Sequence, residues 1–254
     1  MMNKKNCILL FAFGVAIIFG CKKDGLNDFP SETLVKTETH GNVVKSYSYD
    51  NHNRLILEKT DMNSNYYITH AYKYKGDTVI IFSVDSNNVK IRIMPYYLLN
   101  NKKLMVYEFP PFEYTYDNND FIVTAIGSFR HSYLDSFYND SNNITKRVQR
   151  MYNIYSYTYT ITTIKQYNDT LNTLGNNNFG KSYLGKSSKN LISYETVINE
   201  KMFCQINIGC GLSQIVDINN YKYCYELDRK NRVTKVIKTN VATLETDTTS
   251  YTYY

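Results

Sequence analysis

Residues 47–60 read YSYDNHNRLILEKT, and residues 223–238 read YCYELDRKNRVTKVIK. Both stretches place two tyrosines at alternate positions, then an acidic turn, then Asn-Arg and an apolar run. Alternation with a period of two is typical of a β-strand with one packed face, and turns rich in Asp and Asn join neighbouring strands. Each stretch therefore predicts a β-hairpin with an aspartate and an arginine beside its turn.

The spacing in these hairpins also predicts which residues are neighbours across the two strands. The expected pairs are Asp50 with Arg54, Tyr49 with Leu55 and Tyr47 with Leu57 in the first copy, and Asp228 with Arg232 and Leu227 with Val233 in the second. Aromatic and aliphatic cross-strand pairs stabilise one face of a sheet. The charged pairs are expected to be exposed and to contribute at most about 1 kcal/mol.

The rest of the chain after residue 40 continues the same alternation. The 254 residues include 26 tyrosines, no tryptophan and only four prolines, and clusters of Asn and Asp separate the strand-like runs. Short turns at regular spacing favour antiparallel strands over alternating strands and helices. We therefore predict one all-β domain at 37–254, a large, curved and mainly antiparallel meander of Tyr-rich hairpins.

One stretch, residues 176–194, breaks the alternation. Its Ser187 or Ser188 is suited to cap a short helical turn, with Leu191 and Ile192 directed inward. We expect this stretch to be a loop or short helix packed on the sheet. Its GKSYLGK lacks the glycine and Lys-Ser/Thr spacing of a phosphate-binding loop.

The formal net charge of +6 excludes some partners. Acidic and basic residues are interleaved, and the charge is +4 without the two lysines near the N-terminus. A mild excess with no Lys/Arg stripe does not match the phosphate backbone of nucleic acid. We therefore expect no nucleic-acid partner.

The first residues have the features of a sorting signal. Lys4 and Lys5 precede an apolar run at 8–19, which is shorter than the roughly 20 residues that span a bilayer. The run ends in Ile18-Phe19-Gly20-Cys21, which resembles the lipobox of bacterial lipoproteins. That resemblance implies a signal peptide at 1–20, cleavage before Cys21, and acylation of Cys21 with palmitate-type chains. Residues 21–36 would then be a flexible tether to the membrane.

Two further resemblances come from the motifs already quoted. The hairpin pattern resembles the YD repeat of Rhs-type shell proteins, although only two clear copies occur, with degenerate copies at 116–117 and 138–146. The string CKKD at 21–24, the segment GKSSKNLI and the last hairpin together resemble a group of Bacteroidetes-type lipoproteins. Membership would imply a lipid-anchored protein of the outer membrane that faces the cell exterior, and it implies no catalytic residues.

The chain shows no recognisable catalytic, metal or cofactor motif. Its four histidines are not at metal-ligand spacing from one another or from a cysteine, and no nucleophile elbow is present. We therefore predict a protein that is not an enzyme and has no cofactor. Apart from Cys21, the mature chain keeps Cys204, Cys210 and Cys224, which allow one disulfide and one free thiol without fixing the pair.

Two functional hypotheses remain open at this stage. The first is a non-catalytic module that binds glycan or an envelope protein through a Tyr-rich sheet face, because a tyrosine ring and hydroxyl suit both kinds of partner. The second is a structural envelope protein whose tyrosines only fill a half-covered sheet. The candidate binding residues are Tyr47, Tyr49, Tyr72, Tyr74, Tyr155, Tyr157, Tyr159, Tyr223 and Tyr225. Solvent-facing tyrosines would favour the first hypothesis, and tyrosines covered by residues 176–194 the second.

Overall fold

The computed structural model describes most of the chain from residue 33 to residue 254. The gaps within this range are at 64–65, 77, 85–89, 101–102, 107–111, 130, 154–156, 180, 182–183, 206–208 and 212–213. The expected signal peptide and Cys21 lie outside the described residues. Leu34 and Val35, which the sequence assigned to the tether, are buried.

The described residues form β-strands and almost no helix. The strands are β1 Val35–His40, β2 Val43–Tyr49, β3 Leu55–Asn63, β4 Tyr66–Lys75, β5 Thr78–Val84, β6 Lys90–Asn100, β7 Lys103–Val106, β8 Phe112–Tyr116, β9 Ile122–Phe129, β10 His131–Asp140, β11 Asn143–Asn153, β12 Tyr157–Leu171, β13 Asn190–Gln205, β14 Gly209–Cys210, β15 Gln214–Leu227, β16 Val233–Asn240 and β17 Thr246–Tyr253. Among these described residues, no helix has the length and apolar character needed to cross a membrane.

The strands pair antiparallel in chain order, with the two-residue β14 set beside β13 and β15 also paired to β13. The last strand, β17, pairs with β1, which in turn pairs with β2. The pairing therefore runs through the whole sheet and returns to its start. This confirms the prediction of a mainly antiparallel all-β meander built from hairpins.

The quoted hairpins have the predicted turns. The backbone N–H of Asp50 donates to the Arg54 carbonyl at 2.9 Å, and that of Asp228 donates to the Arg232 carbonyl at the same distance. Tyr49 lies opposite Leu55, as expected. The prediction that Tyr47 lies opposite Leu57 is wrong, because the register shifts between Ser48 and Tyr49.

The shift places Tyr47 opposite Glu58, and Leu57 opposite Ser48. In the second copy Leu227 lies opposite Val233, as predicted, next to a register shift of its own. An irregularity of this kind changes the partner of every residue beyond it. The predicted pairs nearest the turn are therefore correct, and the one further along the first hairpin is not.

The aspartate at the start of each turn accepts hydrogen bonds from several donors. The Oδ1 atom of Asp50 accepts from the backbone N–H groups of His52 and Arg54, and its Oδ2 atom accepts from the Arg54 guanidinium at 2.8 Å. Asp228 repeats this pattern with Arg232. The Arg54 guanidinium also lies 4.4 Å from the centre of the Tyr74 ring. The pairs are partly buried, so the expectation of exposed ion pairs is wrong.

A third turn with the same backbone geometry occurs at one of the degenerate copies. The N–H of Asp117 donates to the Phe121 carbonyl, and its Oδ1 atom accepts from the N–H groups of Asn119 and Phe121. In all three turns, the residue directly before Arg54, Phe121 or Arg232 has a positive φ. The values are 58° at Asn53, 66° at Asp120 and 59° at Asn231. Asn and Asp tolerate this conformation, which explains their use here.

Residues 172–189 connect β12 to β13, and we call them the bridging segment. They contain a short 3-10 helix, Asn176–Phe179, which confirms the prediction of a loop or short helix packed on the sheet. The predicted end at residue 194 is wrong, since β13 begins at Asn190. The Ser187 hydroxyl does not start a new helix but accepts from the N–H of Asn176, and Leu191 is buried as expected.

The largest apolar cluster lies between the first hairpin and the bridging segment. Val35, Tyr47 and Leu55 are at most 3 % exposed, and Phe179 of the bridging segment packs with its ring centre 5.2 Å from that of Tyr47. A second cluster centres on Val79 and includes Leu184. We call the sheet face turned toward the bridging segment the inner face.

Candidate functional site

The bridging segment is fixed by hydrogen bonds to several turns. The N–H of Lys186 donates to the Asp120 carbonyl, and the N–H of Lys189 donates to the Asn142 carbonyl, each at 2.9 Å. At the last hairpin, the Val233 N–H donates to the Thr173 hydroxyl. One segment therefore links turns that lie far apart in the sequence, and it forms a fixed wall above the inner face.

At Gly185 the bridging segment approaches the third turn closely. Its φ is +83°, and a Cβ atom there would lie 2.7 Å from the Asp120 carbonyl oxygen and 2.6 Å from a ring carbon of Tyr116. Only glycine combines that backbone conformation with so close an approach. The GKSS motif thus has a packing role at the third turn.

The candidate tyrosines of the first hairpin are used by the protein itself. The Tyr47 hydroxyl donates to Glu38 Oε2 at 2.7 Å, and the Tyr49 hydroxyl donates to the Val35 carbonyl at 2.6 Å. Burial raises the pKa of both phenols, and for Tyr47 the hydrogen bond to the Glu38 carboxylate adds to the rise. Both hydroxyls therefore remain protonated donors within the fold.

Tyr72 and Tyr74 on β4 are likewise bonded. The Tyr72 hydroxyl donates to Glu58 Oε2 at 2.9 Å, and the Tyr74 hydroxyl donates to the Leu55 carbonyl at the same distance. Burial opposes ionisation of Glu58, but the Lys181 ammonium, at 2.8 Å from the same oxygen, holds the pKa of that carboxyl below its usual value. These contacts tie β3 and β4 to the bridging segment.

The remaining candidate tyrosines are divided between two strands. On β15, the Tyr223 hydroxyl donates to Glu195 and the Tyr225 hydroxyl to the Ile192 carbonyl. On β12, Tyr159 is half-buried, with the Lys201 ammonium 5.4 Å from its ring centre. Tyr155 and the side chain of Tyr157 lie outside the described part of the chain. Most of the described candidate tyrosines are therefore hydrogen-bonded within the fold, and their selection as a binding face stays a prediction.

A cavity of about 440 Å³ lies between the bridging segment and the inner face. This volume is within the range of about 300–1,000 Å³ that is usual for small-molecule sites. Its apolar walls are Ile122, Ile144, Leu174, Leu191, Ile192 and Val236, and its polar lining is Lys165, Tyr167, Asn172, Asn176, Lys186, Ser187, Ser188, Asn190, Tyr225 and Tyr251. Tyr225 is the one candidate tyrosine that lines it.

Most of this polar lining is bonded to the protein. The Tyr167 hydroxyl lies 2.6 Å from the Ile144 carbonyl and 2.9 Å from the Ser188 hydroxyl. The Asn172 and Asn176 amides donate to carbonyls of the bridging segment. These side chains shape the cavity wall, and their hydrogen bonds keep it fixed.

The Tyr251 hydroxyl differs from the other tyrosine hydroxyls of the cavity. It forms no hydrogen bond to any described residue, although Tyr251 packs against the Val35, Tyr47 and Leu55 cluster. Burial raises the pKa of this phenol, and the nearby Glu38 carboxylate raises it further. Tyr251 is therefore a protonated donor that lines the cavity, and its hydroxyl has no hydrogen-bond partner among the described residues. The candidate binding residues selected from the sequence did not include Tyr251.

Lys165 is the less exposed of the two lysines that line the cavity. Its ammonium lies 3.9 Å from Glu195 Oε1, whereas the other oxygen of Glu195 accepts from Lys238 at 3.2 Å and from Tyr223 at 2.8 Å. Burial lowers the pKa of Lys165, and the Glu195 carboxylate only partly opposes this. Lys165 is thus a weakly neutralised cation on β12.

The three cysteines that follow Cys21 in the chain lie on β13, β14 and β15. The backbone register places Cys204 on β13 directly opposite Cys210 on β14, and Cys224 is exposed on β15. Directly opposed residues have Cα separations compatible with a disulfide, so this pair is the best candidate for the bridge, which stays a prediction. Among the described residues, no group of three or more His, Cys, Asp and Glu side chains is arranged to hold a metal ion.

Comparisons with known proteins identify structural neighbours of this architecture. A crystal structure of a porin-like protein from Bacteroides uniformis superposes with a TM-score of 0.54 at 14 % identity, covering 89 % of this chain and 99 % of that one. A porin-like protein from Bacteroides vulgatus superposes with a TM-score of 0.42 at 15 % identity, covering 87 % and 99 %. The first likeness establishes a shared fold. No protein-family model and no curated protein matches the chain.

Proposed function

We propose that this protein is a lipid-anchored envelope protein that binds a saccharide, without catalysis, in the cavity beneath the bridging segment. The observation that carries the proposal is the half-buried Tyr251, which lines a cavity of about 440 Å³ and whose hydroxyl has no hydrogen-bond partner among the described residues. A ligand hydroxyl would satisfy this donor, and the apolar walls would contact the carbon face of a sugar ring.

The anchor is proposed from the sequence. Cys21 follows a lipobox-like Ile18-Phe19-Gly20, and the string CKKD suits a protein exported to the outer face of the outer membrane. The porin-like description of the Bacteroides uniformis neighbour is consistent with an envelope location. The chain from Cys21 to residue 33 would connect the membrane to β1.

A direct test of the anchor is metabolic labelling with palmitate. The full chain is expected to incorporate label and to fractionate with membranes, and Cys21→Ala is expected to lose the label. Cys224→Ala is the matched control, because it removes an exposed cysteine of β15. Undiminished labelling of the Cys21→Ala variant would exclude the proposed anchor.

Binding is tested with the full chain purified in mild detergent and applied to a glycan array. We expect selective retention of a subset of glycans, and a loss of affinity of about 2- to 10-fold in Tyr251→Phe, because one hydrogen bond to the ligand is removed. Tyr138→Phe is the control, since Tyr138 is a half-exposed tyrosine of β10 that does not line the cavity. A uniform lack of retention, or equal effects of the two substitutions, would contradict the proposal.

The alternative is a structural envelope protein with no small ligand. It is favoured by the hydroxyls of Tyr47, Tyr49, Tyr72 and Tyr74, all of which are bonded to the protein itself. On this alternative, the four tyrosines and the bridging segment only stabilise the sheet. The array experiment separates the two candidates, because a structural protein would retain no glycan.

A further inference from the structure

The charges around the cavity are not balanced. Its lining contains two lysines, Lys165 and Lys186, and no aspartate or glutamate among the described residues. Lys186 is exposed. Burial opposes ionisation of Asp117, but backbone hydrogen bonds lower the pKa of that carboxyl, and the Lys186 charge adds a smaller lowering. Lys165 is the deeper of the two cations.

The nearest acid cannot neutralise Lys165 fully. Glu195 is buried, and its carboxylate is shared between Lys238, at 3.2 Å, and Lys165, at 3.9 Å. Two ammonium groups around one carboxylate leave a net positive charge. The closer contacts of Glu195 are to Lys238 and Tyr223, so the excess charge lies on the Lys165 side.

The neighbouring ion pair does not change this balance. Arg147 and Asp135 face each other with Nη2 and Oδ2 2.6 Å apart, and the Asp135 side chain is almost fully buried. That pair is neutral as a whole. A partly buried cation that lacks a full partner is unfavourable in the empty cavity and becomes favourable when an anion binds.

We propose that the cavity selects an acidic saccharide, one that carries a carboxylate, and that the Lys165 ammonium binds this carboxylate while the Tyr251 hydroxyl donates to the same ligand. The inference rests on the proposed function, because it names the ligand class of the same cavity. Both groups line the cavity, and they come from β12 and β17. The Tyr167, Tyr225 and Asn172 side chains of the wall are hydrogen-bonded to other groups of the protein.

The test compares two oligosaccharides that differ only in a carboxylate, one containing a hexuronic acid and the other the corresponding neutral hexose. Calorimetric titration of the full chain in mild detergent, near neutral pH, is expected to show about 10- to 100-fold tighter binding of the acidic compound, since a hydrogen bond to a charged group contributes about 1.5–3 kcal/mol. Lys165→Met is expected to abolish that preference, because it weakens binding of the acidic compound more than binding of the neutral one.

Two further variants keep the test decisive. Lys222→Met removes an exposed lysine of β15 that does not line the cavity and is expected to keep the full preference. Lys165→Arg keeps the positive charge and is expected to keep most of the preference for the acidic compound. This variant still tests the role of the charge if Lys165→Met fails to fold. Equal affinity of the wild-type protein for both compounds, or a preference that survives in Lys165→Met, would overturn this inference while the proposed function stands. Absence of binding by both compounds would overturn both.

Discussion

Tyr49 on β2 and Tyr251 on β17 are chemically identical, lie on the same inner face and pack around the same Val35, Tyr47 and Leu55 cluster. The Tyr49 hydroxyl donates to the Val35 carbonyl, whereas Tyr251 lines the cavity and its hydroxyl has no partner among the described residues. The alternating tyrosine pattern therefore builds the sheet in both places. Whether a tyrosine hydroxyl is available to a ligand depends on whether a protein acceptor lies next to it.

The largest loss of stability is expected from a substitution that disturbs the docking of the bridging segment on the inner face. Gly185→Ala would place a Cβ atom 2.7 Å from the Asp120 carbonyl at a positive φ, so we expect a loss of about 3 kcal/mol in the free energy of unfolding. Gly41→Ala is the matched control, because Gly41 also has a positive φ but nothing lies within 4 Å of its added Cβ. Equal losses in urea denaturation would show that the bridging segment is not tightly docked.

A smaller effect is expected at the turns that begin the hairpins. Asp50→Ala removes an acceptor for two backbone N–H groups and the partner of Arg54, which should cost about 1–2 kcal/mol. Asp117→Ala lacks the arginine contribution and should cost less, because the matching position is Phe121. Chemical denaturation in which Asp117→Ala is the more damaging change would contradict the proposed role of the arginine.

The comparison of the two tyrosines can be tested by removing each hydroxyl. Tyr49→Phe should reduce stability by about 1 kcal/mol, because the Val35 carbonyl loses its donor. Tyr251→Phe should leave stability within about 0.5 kcal/mol, since no hydrogen bond to the described protein is lost. Thermal unfolding of the two variants side by side measures this difference, and an equal loss in both would show that Tyr251 has a structural partner.

The smallest expected effect is the acid dependence of the turns. Burial opposes ionisation, but hydrogen bonds from Arg54 and from backbone N–H groups together outweigh it and hold the pKa of Asp50 below its usual value of 3.8. The pKa of Asp228 is lowered by Arg232 and backbone N–H groups in the same way. A lowered pKa contributes stability that is present above the unfolded pKa and is lost as the pH falls through the folded pKa. Stability should therefore decline below about pH 5.

The matched variant for this titration is Asp50→Asn combined with Asp228→Asn, which keeps an acceptor oxygen but cannot ionise. Its unfolding free energy should fall less steeply with acid than that of the wild-type chain. An identical decline in both proteins would assign the acid sensitivity to other carboxyl groups.

The features that the sequence predicted correctly are local ones. The pairing of Asp50 with Arg54 and that of Asp228 with Arg232 depend on four-residue turns whose chemistry is written in adjacent positions. The error at Tyr47 has a local cause as well, because a register shift adjacent to Tyr49 is not visible in the alternation. The start of β13 at Asn190 was missed because the polar Ser and Lys residues that precede it show no alternation of apolar and polar side chains.

The candidate site was less predictable, because its parts are distant in the sequence. Lys165 and Tyr251 line the cavity from β12 and β17, and part of its wall is the bridging segment between β12 and β13. Alternation places Tyr251 on a strand face but does not show which hydroxyl finds a partner. The excess charge of Lys165 likewise depends on how Glu195 is shared with Lys238, which is a matter of tertiary structure.

The most direct test of the central claim is an NMR titration of the full chain, in detergent micelles, with carbon-13 label on the tyrosine rings. The signal of Tyr251 is assigned by its loss in Tyr251→Phe, and those of Tyr47 and Tyr49 by the corresponding substitutions. On addition of a saccharide retained on the array, we predict a shift of the Tyr251 signal and unchanged signals of Tyr47 and Tyr49. Shifts of Tyr47 and Tyr49 with an unchanged Tyr251 signal would contradict the account.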